Sequence, residues 1–145
     1  MNPTTVRIIL VVFFIAHGWI HMSLAQVPPP QPNALRTPFF PSWWRNAVDP
    51  AWPVSRLGLS EPLVRTAGWV LWLMATVAFS LAGLALLIVP AQAALWQIPA
   101  AAGSVVSILL LALYWHPWLP VGVLLDLAIL AGIFTGFLTR WMTKS

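Results

Sequence analysis

Residues 8–25 read IILVVFFIAHGWIHMSLA, an apolar run that carries two histidines, His17 and His21. A run of this length comes close to crossing the ~30 Å hydrocarbon core of a bilayer as a helix. Positions four apart on a helix share one face about one turn apart. Ionisable side chains inside such a run are costly in lipid and usually face a protein interior or a polar cavity. The run therefore predicts a membrane-spanning helix with both histidines on one inward face.

The composition of the whole chain is that of an integral membrane protein. Hydrophobic residues make up 60% of the 145 residues and charged residues 7%, against roughly 45–50% and about 25% in soluble domains. The net charge of +4 comes from basic residues outside the apolar runs, which suits membrane-flank anchors, and we expect no nucleic-acid partner. Because the sequence has no cysteine, disulfides and thiolate metal sites are excluded.

Prolines divide the chain into helical segments, because a proline inside a helix removes an amide donor and clashes with the preceding turn. The first apolar stretch exceeds a typical signal-peptide core of about 7–15 residues, so we expect it to be retained. We predict an all-α membrane protein, a single-domain bundle of four transmembrane helices over 5–26, 61–89, 98–116 and 119–141.

A long proline- and tryptophan-rich loop covers 27–60, between the first two helices. Pro28-Pro29-Pro30 cannot continue a helix, whereas amphipathic aromatic rings favour the headgroup region of a membrane. We predict a cap that lies on the membrane, with a short helix at 42–48; a disordered loop is the alternative. The tryptophans expected at this interface, in the loop and at the nearby helix ends, are Trp43, Trp44, Trp52, Trp69, Trp72, Trp115 and Trp118.

Depth along the helices predicts a polar cluster beneath this cap. Measured from the loop side, His21, His17 and Asp126 lie about 7, 13 and 10 Å inside their helices. His116 ends the third helix on the same side. Because a carboxylate costs about 2.5–3.5 kcal/mol at the bilayer centre on insertion scales, we expect Asp126 to turn inward and pair with a first-helix histidine. Such a pair could clip helices together, handle protons or a substrate, or bind a metal or haem.

The candidates for binding a cofactor are His17, His21 and His116. Two histidines four apart can hold one metal ion, and Asp126 or His116 could complete its shell. The same two cannot both be axial ligands of one haem, since axial ligands approach from opposite faces. Haem or another tetrapyrrole would need His116 opposite one of them, or a single ligand.

Small residues on the fourth helix, Ala128, Gly132 and Gly136, stand four apart and predict a groove for close helix packing, within the bundle rather than in a dimer. On the third helix we expect Ser104 and Ser107 to bond backbone carbonyls, as serines in membrane helices often do. The sequence contains no G-x-S-x-G motif and no glycine-rich phosphate loop. These patterns indicate packing rather than catalysis.

Three short motifs resemble a group of small bacterial four-helix membrane proteins that are DoxX-like in layout. They are His17-Gly18-Trp19-Ile20-His21 (an HGxIH first helix), Gly68-Trp69 with Trp72, and the Trp115-His116-Pro117 corner that leads to Asp126. The resemblance covers the four helices but not the proline-rich loop. It implies the four-helix layout; some DoxX-like proteins are linked to quinone-dependent thiosulfate oxidation, but no residue here marks a quinone or sulfur site.

Small size and the lack of a catalytic set favour an accessory or structural subunit of a larger membrane assembly. The alternatives are a cofactor-binding, redox-associated membrane protein, and a small transporter or proton conduit that uses Asp126 and His17. We expect the lipid bilayer and other membrane subunits, or a second copy, as partners. The expected location is the bacterial inner membrane with cytoplasmic termini, because the Trp/Pro-rich loop without lysine resembles an exported segment.

Overall fold

The computed structural model describes residues 2–21, 52–88, 94–115 and 119–143. Within these ranges all regular structure is helical: α1 Pro3–Ile20, α2 Trp52–Leu57, α3 Glu61–Ile88, α4 Gln97–Leu113, α5 Pro120–Phe134 and α6 Phe137–Thr143. The predicted all-α class is confirmed for this part of the chain. The helix predicted at 42–48 lies outside the described residues, as do Trp43, Trp44, His116 and Trp118.

Two helices are long and apolar enough to cross a membrane, α1 with 18 residues and α3 with 28. The pair α5 and α6 counts as a third candidate span if the two bent helices are taken together. The apolar helix α4 is shorter, with 17 residues. The described ranges thus contain two clear candidate spans, and the four-span bundle stays a prediction.

The long helices pack in chain order, with α1 on α3, α3 on α4, and α4 on α5. Glycines permit the closest approaches to α3. A Cβ on Gly18 of α1 would lie 3.1 Å from the Cβ of Phe79 and 3.2 Å from the Cα of Thr76. A Cβ on Gly103 of α4 would lie 3.1 Å from the Phe79 ring. Phe79, which is fully buried, is therefore held between α1 and α4.

The first helix ends earlier than predicted, and the loop region contains a helix that was not predicted. Helix α1 ends at Ile20 with His21 as its C-cap, and residues 22–26 of the predicted helix lie outside the described ranges. Helix α2 begins with Trp52, and Pro53 follows in the first turn, where proline is well tolerated. The indole N–H of Trp52 donates to the Ala112 carbonyl at 2.6 Å, which fixes α2 to the end of α4.

The predicted fourth helix over 119–141 is two helices in the structure. Helix α5 ends at Phe134, α6 begins at Phe137, and the two are bent by 71°. Gly136 has φ of +65°, a conformation that glycine adopts without the Cβ penalty. Its N–H donates to the Ile133 carbonyl at 2.9 Å, as expected for a glycine that closes a helix C-terminus. The prediction of one continuous helix was wrong because Gly136 ends α5.

The three small residues of this segment do not form one packing groove. A Cβ on Gly132 would lie 2.7 Å from the Cγ of Leu138, so Gly132 makes room for the returning helix α6. Ala128 is exposed, and Gly136 lies in the turn. Helix α6 also contacts α1, and Thr139 accepts a hydrogen bond from the Gln97 amide at 3.1 Å. Of these three residues, only Gly132 permits close packing, and its partner Leu138 belongs to the same segment of the chain.

Substitution of Gly136 distinguishes a helix break from a continuous helix. We expect Gly136→Ala to lower the free energy of unfolding by about 1 kcal/mol, because alanine in the left-handed region carries a Cβ penalty. Gly136→Asn is the matched control and should cost less, since asparagine enters that region more readily. Thermal unfolding of the full chain in detergent measures both. If alanine raised the stability, as it does in a helix interior, the break at Gly136 would be refuted.

Candidate functional site

Four polar side chains from three helices meet in the interior, and we name them the His–Ser–Asp cluster: His17, His21, Ser107 and Asp126. The Nε2 atom of His17 lies 2.9 Å from Oδ1 of Asp126. The Ser107 hydroxyl is hydrogen-bonded to both His21 and Asp126. Ser107 and Asp126 are 0% exposed, His17 7% and His21 4%. The cluster is therefore a closed network between α1, α4 and α5.

All members of the cluster lie near the same end of the helices. His17 is three residues before the end of α1, Ser107 is six before the end of α4, and Asp126 is six after the start of α5. At 1.5 Å per residue these distances are about 5, 9 and 9 Å. Helices α1 and α4 end on the side where α5 begins, so the cluster lies toward that end of α1 and α4.

The direction of each hydrogen bond follows from the number of hydrogens available. Ser107 has one hydroxyl hydrogen and donates it to Oδ2 of Asp126, so it accepts from Nε2–H of His21. An ionised Asp126 only accepts, so Nε2–H of His17 donates to its Oδ1. Both imidazoles therefore direct a hydrogen to one carboxylate, directly or through Ser107. These bonds offset the desolvation that an apolar interior imposes on a carboxylate.

Aromatic side chains fix the orientation of the His17 ring. Phe13 stacks on it with centroids 5.4 Å apart and planes inclined by 17°. Phe79 meets it edge-on at 4.8 Å and 78°, and His21 does so at 4.9 Å and 66°. Because Phe79 is itself held between the glycines of α1 and α4, helix packing determines where the His17 nitrogen points.

The structure brings together His17, His21 and Asp126, three of the four residues that helix depth placed in one leaflet. The fourth, His116, lies outside the described residues. Sequence reasoning missed the role of Ser107. Ser104 does bond the Ala100 carbonyl, at 3.0 Å, as expected, but the same expectation for Ser107 was wrong. Its depth of about 9 Å from the end of α4, the same as that of Asp126, is the signal that could have identified it.

The described tryptophans of the predicted interface lie at the same end as the cluster. Trp69 and Trp115 are exposed, and Trp52 is exposed with its N–H bonded to α4. Trp72 is half-buried, packs edge-on against Trp69 at 5.2 Å, and its indole nitrogen is buried without a hydrogen-bond partner among the described residues. The described tryptophans of the predicted interface are therefore grouped at one end of the bundle.

The cluster has two chemical capacities. It can hold and exchange protons, because two imidazoles and a carboxylate are joined by hydrogen bonds. It also presents a metal-ligand set, since one ligand atom from each of His17, His21 and Asp126 lies within 4.8 Å of the other two. Of the three histidines proposed as cofactor ligands, the structure thus brings two together with an acid, and His116 lies outside the described residues.

The chain matches no family model, no curated protein and no solved structure. The DoxX-like resemblance therefore stays a prediction.

Two serines of α4 provide a matched test of the cluster. Ser107→Ala leaves His21 and one oxygen of Asp126 without their partner, so we expect it to lower the free energy of unfolding by about 1–2 kcal/mol. Ser104→Ala removes a bond to the same helix and should cost less than about 0.5 kcal/mol. Both serines are fully buried, so a difference in stability between the two variants cannot come from a difference in burial. Equal losses in detergent unfolding would contradict a special role for Ser107.

Proposed function

We propose that this chain is a small integral membrane protein that crosses the membrane four times and serves as an accessory or structural subunit of a larger membrane assembly. The observation that carries the proposal is the contrast between a closed polar interior and an apolar outer surface. The polar groups of the His–Ser–Asp cluster are bonded to one another, and the outside offers apolar side chains for contact with lipid and other subunits.

The apolar outer surface supports membrane insertion. Large apolar side chains are exposed along each of the long helices, among them Ile8, Val12, Leu73, Leu81, Val105, Leu109, Val121 and Leu124. Phe134 is 82% exposed. Soluble monomers rarely expose contiguous apolar patches beyond a few hundred Å², and exposure to water costs roughly 25 cal/mol per Å². Lipid and partner helices remove that cost.

Helix lengths support four crossings with both termini on one side. Helix α4, at 17 residues, extends ~26 Å, and α5, at 15 residues, ~22 Å, which a locally thinned bilayer or interfacial side chains can accommodate. Helix α6 then carries Arg140 and an exposed Trp141, residue types that favour the interface. The 28 residues of α3 exceed a ~30 Å core, so its first turns extend beyond the membrane.

The interior cluster supports a structural role. Lipid tails are as apolar as leucine, so membrane helices associate through packing and interhelical hydrogen bonds rather than through the hydrophobic effect. The His17–Asp126 hydrogen bond joins α1 to α5, and the hydrogen bond from Ser107 joins α4 to the same carboxylate. Side chains that are bonded to one another and buried are suited to holding helices in register.

Single cysteines test the topology, since the natural chain has none. For a bacterial inner membrane with cytoplasmic termini, we expect a membrane-impermeant maleimide to label Ser55→Cys in intact cells. Thr4→Cys and Thr143→Cys should react only after the membrane is opened. All three positions are exposed, so a difference in labelling shows on which side of the membrane each residue lies. Labelling of Thr4 and Thr143 from opposite sides would exclude an even number of crossings.

Purification in mild detergent tests the accessory role. We expect the tagged full chain to migrate with other membrane proteins at a mass above that of one 16.0 kDa chain in a micelle. Ala128 is a small exposed residue on α5, where a second helix can approach closely. Ala128→Phe should therefore deplete the partners, whereas Leu127→Phe, a large-to-large change on an adjacent exposed position, should not. A single monodisperse chain in every detergent would refute the proposal.

A further inference from the structure

The donor set of the cluster matches that of a transition-metal site. His17, His21 and Asp126 are all buried, and one ligand atom from each lies within 4.8 Å of the other two. Imidazole nitrogen and carboxylate oxygen are the ligands that zinc and its neighbours take from cysteine-free proteins, and three protein ligands leave a fourth position open. Calcium and magnesium instead prefer shells made of oxygen.

The hydrogen-bond pattern shows how an ion would fit. Both imidazoles direct Nε2 toward the carboxylate, directly from His17 and through Ser107 from His21. Tetrahedral ligands at about 2.0–2.2 Å from zinc lie about 3.3 Å from each other. The 2.9 Å between His17 Nε2 and Asp126 Oδ1 is already close to this value. No two of these ligand atoms are more than 4.8 Å apart, so reaching about 3.3 Å requires a movement of at most about 1.5 Å. His21, the C-cap of α1, is the ligand that would move.

We propose that the His–Ser–Asp cluster binds one divalent first-row transition-metal ion, with His17, His21 and Asp126 as ligands and Zn²⁺ as the ion tested first. The proposal rests on the structural role proposed above and deepens it. The ion would take the place of the hydrogens that now lie between the imidazoles and the carboxylate. Those hydrogens leave to solvent or move to Nδ1, because a ligating nitrogen must be unprotonated.

Neighbouring side chains already supply the outer shell that such sites need. Ligating carboxylates and histidines in metalloproteins are oriented by further hydrogen bonds and by packing. Ser107 holds Oδ2 of Asp126, while Phe13 and Phe79 fix the His17 ring. Asp126 supplies one negative charge, so a bound divalent ion retains a net charge of +1 at the site. We therefore expect reversible binding that a strong chelator removes.

Metal titration of the full chain tests the site. The chain is purified in detergent through a tag without histidine, stripped with chelator, and titrated with Zn²⁺; bound metal is measured by elemental analysis after free ion is removed. We expect saturation at one Zn²⁺ per chain and a rise in Tm that Mg²⁺ at the same concentration does not produce, because ligand binding to the folded state raises stability. Co²⁺ should add visible absorption bands that Zn²⁺ abolishes.

Four variants locate the binding. His21→Gln and Asp126→Asn should each weaken Zn²⁺ binding by at least about 10-fold. Ser104→Ala, a buried residue of α4 outside the cluster, and His116→Gln, which removes the remaining histidine of the sequence, should keep the affinity of the unchanged chain. Circular dichroism checks helix content, and if Asp126→Asn fails to fold, His21→Gln at the helix end decides.

The metal proposal is overturned if the unchanged chain shows no saturable Zn²⁺ binding. It is also overturned if His21→Gln retains full affinity or if His116→Gln loses it. Retention of partner proteins is measured separately on chain kept in chelator. If partners remain bound without metal, the accessory role stands even when metal binding fails. If the chain purifies alone but still binds one Zn²⁺, the metal site stands and the accessory role is refuted.

Discussion

Asp126 is the constraint on which the rest of the arrangement depends. It is a carboxylate on an otherwise apolar helix, fully buried, and it is tolerated because two donors face it. His17 comes from the first helix of the chain and Ser107 from the helix just before α5. Satisfying this one group therefore sets the rotation of three helices about their axes. Apolar contacts alone would leave that rotation less well defined, because apolar faces can slide or rotate over one another at small cost.

The polar contacts in turn depend on how closely the backbones approach. Gly18 lies so close to α3 that an added Cβ would be 3.1 Å from the Cβ of Phe79, and Gly103 contacts the ring of Phe79 from the other side. The Thr76 hydroxyl donates to the Gly18 carbonyl at 2.9 Å, one residue after His17. Packing and polar chemistry are therefore coupled: the spacing that buries Phe79 also places the His17 nitrogen against Asp126.

The sequence determines this site only in part, and the reasons are physical. Helix depth is a one-dimensional quantity, so it was enough to place His17, His21 and Asp126 at one level. It could not choose between the two serines of α4, because a buried serine always has a carbonyl of its own helix as a local alternative. Ser104 takes that alternative and Ser107 does not; the choice depends on which side of α4 faces the acid. The role of Gly136 was likewise ambiguous from the sequence, since a glycine near a helix end permits both close helix packing and a left-handed turn.

The two ends of the bundle have different chemistry. At one end lie the cluster and the contacts of Trp52, Trp69 and Trp72. At the other, Arg7 donates to the Leu86 carbonyl in the last turn of α3, and α6 folds back against α1. The second set closes helix ends, where unpaired carbonyls need donors. His17, Ser107 and Asp126 lie within their helices, where backbone groups are already paired, and His21 caps α1 through its backbone N–H. The four side chains are therefore not needed to complete secondary structure. Side chains with that freedom can change between a proton-bound and a metal-bound state without unwinding a helix, and this suits them to the metal binding proposed above.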